Sequence, residues 1–162
     1  MKSGPKARAR RLGGVMVMLL AAGPAVIAVA PSAEAYVPSL ATRAAYQARV
    51  IQQINAVRAS NRRGGLSFSN CPARFATNWS SYLARTGAFY HQSMYPILRV
   101  CRASKVAENL ARGNVSADRI VAAWMASPGH RANVLDGALT RVAVSAVYAR
   151  GQWTVTADFA RY

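Results

Sequence analysis

Acidic residues are almost missing from this chain: five Asp and Glu stand against 21 Lys and Arg, a formal charge of +16 over 162 residues. So lopsided a composition leaves most cations without a carboxylate of their own. It points to anionic surroundings reached through salt-sensitive attraction, and it disfavours self-association, so a monomer is expected. Lysine is scarce as well; beyond the first ten residues only Lys105 remains, and the other cations are arginines spread singly except for Arg10-Arg11 and Arg62-Arg63. Without a dense basic run interleaved with aromatics, sequence-specific nucleic-acid binding is not indicated. Cysteine is limited to Cys71 and Cys101, and histidine to His91 and His130. There is no internal repeat and no low-complexity linker. No G-x-S-x-G elbow and no H-E-x-x-H run is present, which excludes two common routes to hydrolysis.

Long uncharged runs are confined to the N-terminus. Lys2, Lys6, Arg8, Arg10 and Arg11 precede a stretch, 12–30, with no charge, and Ala33-Glu34-Ala35 then offers an A-x-A cleavage site before Tyr36. About 18 apolar residues can span a bilayer, so a retained anchor is the alternative. Gly13, Gly14, Gly23 and Pro24 weaken a helix there. The expectation is a secretory signal over 1–35, a single domain over 36–162, and no membrane span after cleavage. That domain holds sixteen Lys and Arg against Glu108, Asp118, Asp136 and Asp158, a net charge of +12. An exported chain with two cysteines suggests one disulfide, Cys71 to Cys101, whose closed loop of about 30 residues would contribute on the order of 3 kcal/mol.

Apolar residues Tyr46, Val50, Ile51, Ile54 and Val57 recur at three and four, which predicts an amphipathic helix over 42–59, stopped by the polar, glycine-rich 60–65. Pro72 opens a second helix with Phe75, Trp79 and Leu83 on one stripe, ended by Gly87; a loop-rich stretch with Pro96 and Cys101 follows. Ser116 caps a third helix carrying Ile120, Val121, Trp124 and Met125, with Asp118 as a helix-start charge. Ser127-Pro128 then starts a short helix with His130 in its first turn, where the positive helix end disfavours the imidazolium. Val142, Val144, Ala146 and Tyr148 alternate, as do Trp153, Val155, Ala157 and Phe159 beyond the turn at Arg150-Gly151, so the chain ends in a hairpin. Helices followed by an antiparallel hairpin define an α+β class. Trp79, Trp124 and Trp153 are expected in the core, and Asp158 on a polar strand face, solvated or paired with Arg. Asn78-Trp79-Ser80 and Asn114-Val115-Ser116 match the glycosylation sequon, a pattern that short chains often carry by chance.

Five blocks in order resemble the CAP superfamily of cysteine-rich secretory proteins, venom antigens and plant pathogenesis-related proteins, in its short bacterial form. They are Asn55-Ala56-Val57-Arg58 with Gly65-Leu66; Phe89-Tyr90-His91; Ala107-Glu108-Asn109-Leu110-Ala111; Trp124-Met125 with Ser127-Pro128-Gly129-His130-Arg131-Ala132-Asn133-Val134-Leu135; and Trp153 to Phe159. The resemblance implies an α-β-α sandwich with a cleft holding two His and two acids. Here these would be His91, His130 and Glu108, while Ser127 stands where the family usually has its second acid. Two imidazoles and one carboxylate suit Zn2+ or another divalent cation with one position open. Bound metal would lower the pKa of its water to about 7, but neither a general base nor an oxyanion stabiliser is evident. The reading is a secreted, non-enzymatic module that binds a divalent metal, a lipid or another small ligand through His91, Glu108 and His130. The alternatives are a metal-assisted, peptidase-like hydrolase, or a basic module that binds anionic cell-envelope polymers and carries a vestigial cleft.

Overall fold

The computed structural model describes residues 38–162; the N-terminal segment expected to be a signal lies outside the described residues. Helix α1, Leu40–Ser60, starts where the Ser39 side chain accepts from the Thr42 amide, and it buries Val50, Ile54 and Arg58 on one four-residue stripe. Strand β1, Ser67–Phe68, leads into helix α2, Asn70–Thr86. That helix ends at Gly87 with φ 81°, a left-handed cap. A Cβ there would also lie 2.6 Å from an Arg150 Nη atom, which the flexible arginine could move aside, so the positive φ is what favours glycine. Helix α3, Tyr95–Cys101, occupies the stretch expected to be loop, and strand β2, Lys105–Gly113, follows it. Then come helix α4, Ala117–Ala126, capped by Ser116, helix α5, Pro128–Leu135, and the hairpin of strands β3, Arg141–Ala149, and β4, Gln152–Arg161.

The sheet runs β1-β3-β4-β2, antiparallel except for the short β1–β3 pairing, with β2 at one edge. Register places Glu108 opposite Asp158 and Leu110 opposite Thr156. One face carries Val142, Val144, Val155, Ala157 and Phe159 into the apolar core with Ile54, Val121 and Trp124. Helix α2 covers the other face, against β3 and β4, completing an α-β-α sandwich.

The covered second face is polar. Ser145, Thr154, Thr156 and Asp158 are all buried, and Ser80 of α2 meets Ser145 hydroxyl to hydroxyl at 2.7 Å. Asp158 is therefore neither solvated nor paired with Arg, contrary to the alternating pattern's plainest reading. Alternation assigns a side chain to a face; whether that face meets water depends on what packs over it. Trp79 departs from expectation in a related way. Helix α2 buries Ala76, Ser80, Leu83 and Ala84 against the sheet and leaves Trp79 at the half-buried margin. Trp124 and Trp153 are in the core.

The described residues lie in one compact unit with its own core, and the Cys71–Cys101 disulfide ties the first turn of α2 to the end of α3. Replacing both cysteines by serine is expected to lower unfolding free energy by about 3 kcal/mol, because the open chain regains loop entropy. Urea denaturation checks this; an unchanged midpoint would show that the contacts of α3 alone hold the segment.

Candidate functional site

Helix α5 docks along the edge strand. The Asn109 side chain donates to the His130 carbonyl at 3.1 Å, and Asn133 donates to the Glu108 carbonyl and to Asn109 Oδ1 at 3.1 and 2.9 Å. The bond to Glu108 satisfies a backbone carbonyl of the edge strand. Together these bonds hold the first turn of α5 beside the segment that carries Glu108. Ser127 stands at the N-cap as expected, but its hydroxyl makes no capping bond. His130 is partly buried and its proton affinity is lowered, by desolvation first and then by the nearby His91. The direction matches the expectation from the helix dipole, although burial and a second imidazole are the causes here.

The loop between α2 and α3 brings His91 and Gln92 to the same place. Arg112 of β2 holds this loop: it donates to the carbonyls of Gly87 and Leu83 at 2.9 and 3.1 Å and to that of Ala88, and lies over the Phe89 ring at 4.8 Å. Trp79 Nε1 donates to the Tyr90 carbonyl at 3.1 Å. So fixed, His91 Nδ1 lies 2.6 Å from Glu108 Oε1. The bond to that carboxylate orients a ring that is otherwise exposed.

Glu108 is buried, and desolvation raises its pKa against the bonds from Gln92 and His91. Gln92 bridges it to Asp158: Nε2 lies 2.8 Å from Glu108 Oε2 and 3.2 and 3.1 Å from the two Asp158 oxygens. One amide hydrogen serves Glu108 and the other the two Asp158 oxygens, so Gln92 holds the two carboxyl groups close together. Burial and the neighbouring Glu108 push Asp158 up to about 8. Neither Gln92 nor Asp158 was marked as a site residue by the sequence. The adjacency of Gln92 to His91 was the only available hint.

The candidate metal set does not close. Glu108 Oε1 accepts from His91 and from the Gln92 amide at 3.2 Å, and Oε2 accepts from Gln92 Nε2. Among the described residues no three His, Cys, Asp or Glu are grouped to hold a metal. His91, Glu108 and His130 do assemble in one neighbourhood, with Glu108 orienting His91. They do not form the three-ligand cage expected from their residue types. A thiol nucleophile is excluded because both cysteines are in the disulfide.

His130 lines a cleft of about 600 Å3 whose walls come from β2, α4, the start of α5 and the α2–α3 loop. Leu110, Val115, Ile120 and Trp124 make it apolar, while Arg119 and Ser127 supply polar groups. A wider depression of about 760 Å3 lies over α2, lined only by residues between Asn70 and Asn78. A surface built from one helix has no converging walls, so the first cleft is the better binding site.

The layers define an α-β-α sandwich with a histidine-bearing cleft at the edge of its sheet. The sequence profile of the CAP, or cysteine-rich secretory protein, family matches residues 51–159, and the chain belongs to that family. It is 28% identical over 117 residues to the uncharacterized protein YkwD of Bacillus subtilis, covering 68% of this chain and 46% of that protein. An extracellular SCP-domain protein of Bacillus anthracis superposes with a TM-score of 0.67 at 20% identity, over 75% of this chain and 42% of the other. An outer surface protein of Borrelia burgdorferi gives 0.61 at 17% identity, over 69% and 89%. The chain thus spans less than half the length of the two Bacillus relatives.

Proposed function

We propose that this is an exported, non-enzymatic CAP module that takes a small apolar molecule with an anionic or polar head into the cleft beside His130. The observation that carries the reading is the cleft itself. It has converging apolar walls, a volume in the range that holds small molecules, and a cation, Arg119, with no carboxylate paired to it among the described residues. The neutral state favoured at His130 suits a group that accepts or donates one hydrogen bond to a ligand head. Export is supported by the N-terminal charge pattern and by relatives described as extracellular or outer surface proteins. A secreted form should begin at Tyr36, which N-terminal sequencing of culture supernatant would read.

Calorimetric titration of a medium-chain fatty acid into residues 36–162 is the first test, with a negative heat-capacity change as the mark of apolar burial. Ala123 is an exposed α4 residue on the cleft wall, so Ala123→Phe fills the space without disturbing the core. Affinity is expected to fall tenfold or more in that variant; undiminished binding would place the ligand elsewhere. Zn2+ titrated in parallel is expected to give no stoichiometric binding, since Glu108 is committed to His91 and Gln92. Tight binding lost in His91→Ala/His130→Ala would restore the metal reading.

A further inference from the structure

Four aromatic side chains crowd the surface next to the cleft mouth. Trp79 and Tyr82 of α2 stack at 5.1 Å, and Tyr90 stands edge-on to both, with its hydroxyl 3.0 Å from that of Tyr82. Phe89 adjoins them and is half exposed, as is Tyr90. The group is rigid before it meets anything, because Trp79 bonds the Tyr90 carbonyl and Arg112 clamps the loop. Docking would therefore carry little ordering cost.

The charges around these rings are all of one sign. Arg85 lies over Tyr82 at 5.9 Å, Arg112 lies over Phe89, Arg150 donates to the Arg85 carbonyl at 3.0 Å, and Arg119 shares the cleft with Phe89. None has an acidic partner among the described residues. The four acids of the domain are engaged elsewhere: Asp118 with Arg49, Asp136 with Lys105, Glu108 with His91 and Gln92, and Asp158 with Gln92. The cationic ring is thus uncompensated and can only be neutralised from outside.

We propose that this face docks on an anionic lipid bilayer, with Phe89 and Tyr90 entering the headgroup region and Arg85, Arg112, Arg119 and Arg150 meeting the lipid phosphates. An exposed Phe beside Tyr and Trp, rimmed by arginines, matches the interface of a bilayer, where an apolar edge and a charged plane coincide. A soluble anionic polymer would satisfy the arginines and leave Phe89 in water, so the bilayer fits both halves of the patch. The inference is independent of what the cleft holds.

Residues 36–162 are mixed with vesicles of phosphatidylcholine alone, or with one quarter phosphatidylglycerol, each also prepared with brominated acyl chains. Trp153 is buried and Trp124 lines the cleft, so the quenching that a Trp79→Phe variant loses is the part that reports this face. Quenching on anionic vesicles, and its absence on zwitterionic ones, is the expected result. Phe89→Ser/Tyr90→Ser should weaken cosedimentation about tenfold, the loss expected when two half-buried aromatic insertions are removed. Arg85→Glu/Arg150→Glu, which leaves the rings in place, should weaken it as much and guards against misfolding of the first variant. Arg62→Ser/Arg63→Ser should change it little. Ala123→Phe should leave docking intact, which separates this result from failure of the ligand reading. Binding that proceeds without quenching, that is equal in all variants, or that is matched on dextran sulfate would overturn the proposal in favour of general attraction to polyanions.

Discussion

Arg58→Ala is expected to cost the domain about 4–6 kcal/mol, enough to unfold much of a protein whose net stability is typically about 5–15 kcal/mol. The side chain is 1% exposed, and its guanidinium donates to four carbonyls, those of Gly64, Val134, Asp136 and Leu139, at 2.7 to 3.2 Å. It ties the end of α1 to the turn after it and to the α5–β3 connection. Truncation leaves several buried carbonyls unbonded at about 1–3 kcal/mol each, with water in the vacated space recovering part. Burial and nearby Arg63 lower the affinity of this group for its proton, while Asp136 opposes them. Arg58→Lys should recover little, since one ammonium cannot span the four-carbonyl fork. Chemical denaturation of both variants is the measurement; a loss below about 1 kcal/mol for alanine would mean that water replaces the guanidinium without penalty.

Stability is expected to fall as pH rises from about 4 to about 8, and Asp158→Asn should reduce that fall, leaving the part contributed by Glu108, whose pKa burial also raises. In an unfolded chain Asp158 loses its proton near 3.8, whereas in the folded protein it keeps it up to about 8. Between those values the folded state binds more protons than the unfolded one. The slope is then negative, up to about 1.4 kcal/mol per pH unit for one group. Below about pH 4 both states are protonated and the contribution is fully present; above about 8 it is gone. His130 acts in the opposite sense, because its lowered pKa means that protonation below about 6.5 favours unfolding. The difference between wild type and Asp158→Asn cancels that effect. The amide keeps the shape and can still accept from Gln92, so the variant should match wild type near pH 4 and exceed it by more than about 1 kcal/mol at pH 7.5. Parallel urea midpoints across this range would show that Asp158 is ionised in the fold.

Much of the architecture was legible because it rests on periodicity. The stripes of α1 and α4 and the two alternating strands of the hairpin each declare themselves over seven or more residues, and the Ser116 cap and the Ser127-Pro128 start of α5 by residue type. Helix α3 did not, being seven residues without a side-chain cap. Strand β2 did not either. Helix α4 and the start of α5 cover one side of it and the α2–α3 loop the other, so Glu108, Asn109 and Leu110 are buried in succession and no alternation survives. The site was half legible. Family resemblance pointed to His91, Glu108 and His130, and they are neighbours. Gln92 and Asp158, which share the buried hydrogen bonds around Glu108, carried no signal, because a Gln in a loop and an Asp in a strand have innumerable ordinary uses.

What the chain's order of residues determined by itself was local: where helices begin, which face of the hairpin is apolar, the excess of arginine and the family. What the tertiary structure decided was which polar groups lose their water. Asp158 becomes a proton holder, Arg58 a buried clamp, and Trp79 a surface ring. Each outcome depends on whether a second element packs over the side chain, and desolvation is a property of that assembled contact rather than of any residue or its sequence neighbours.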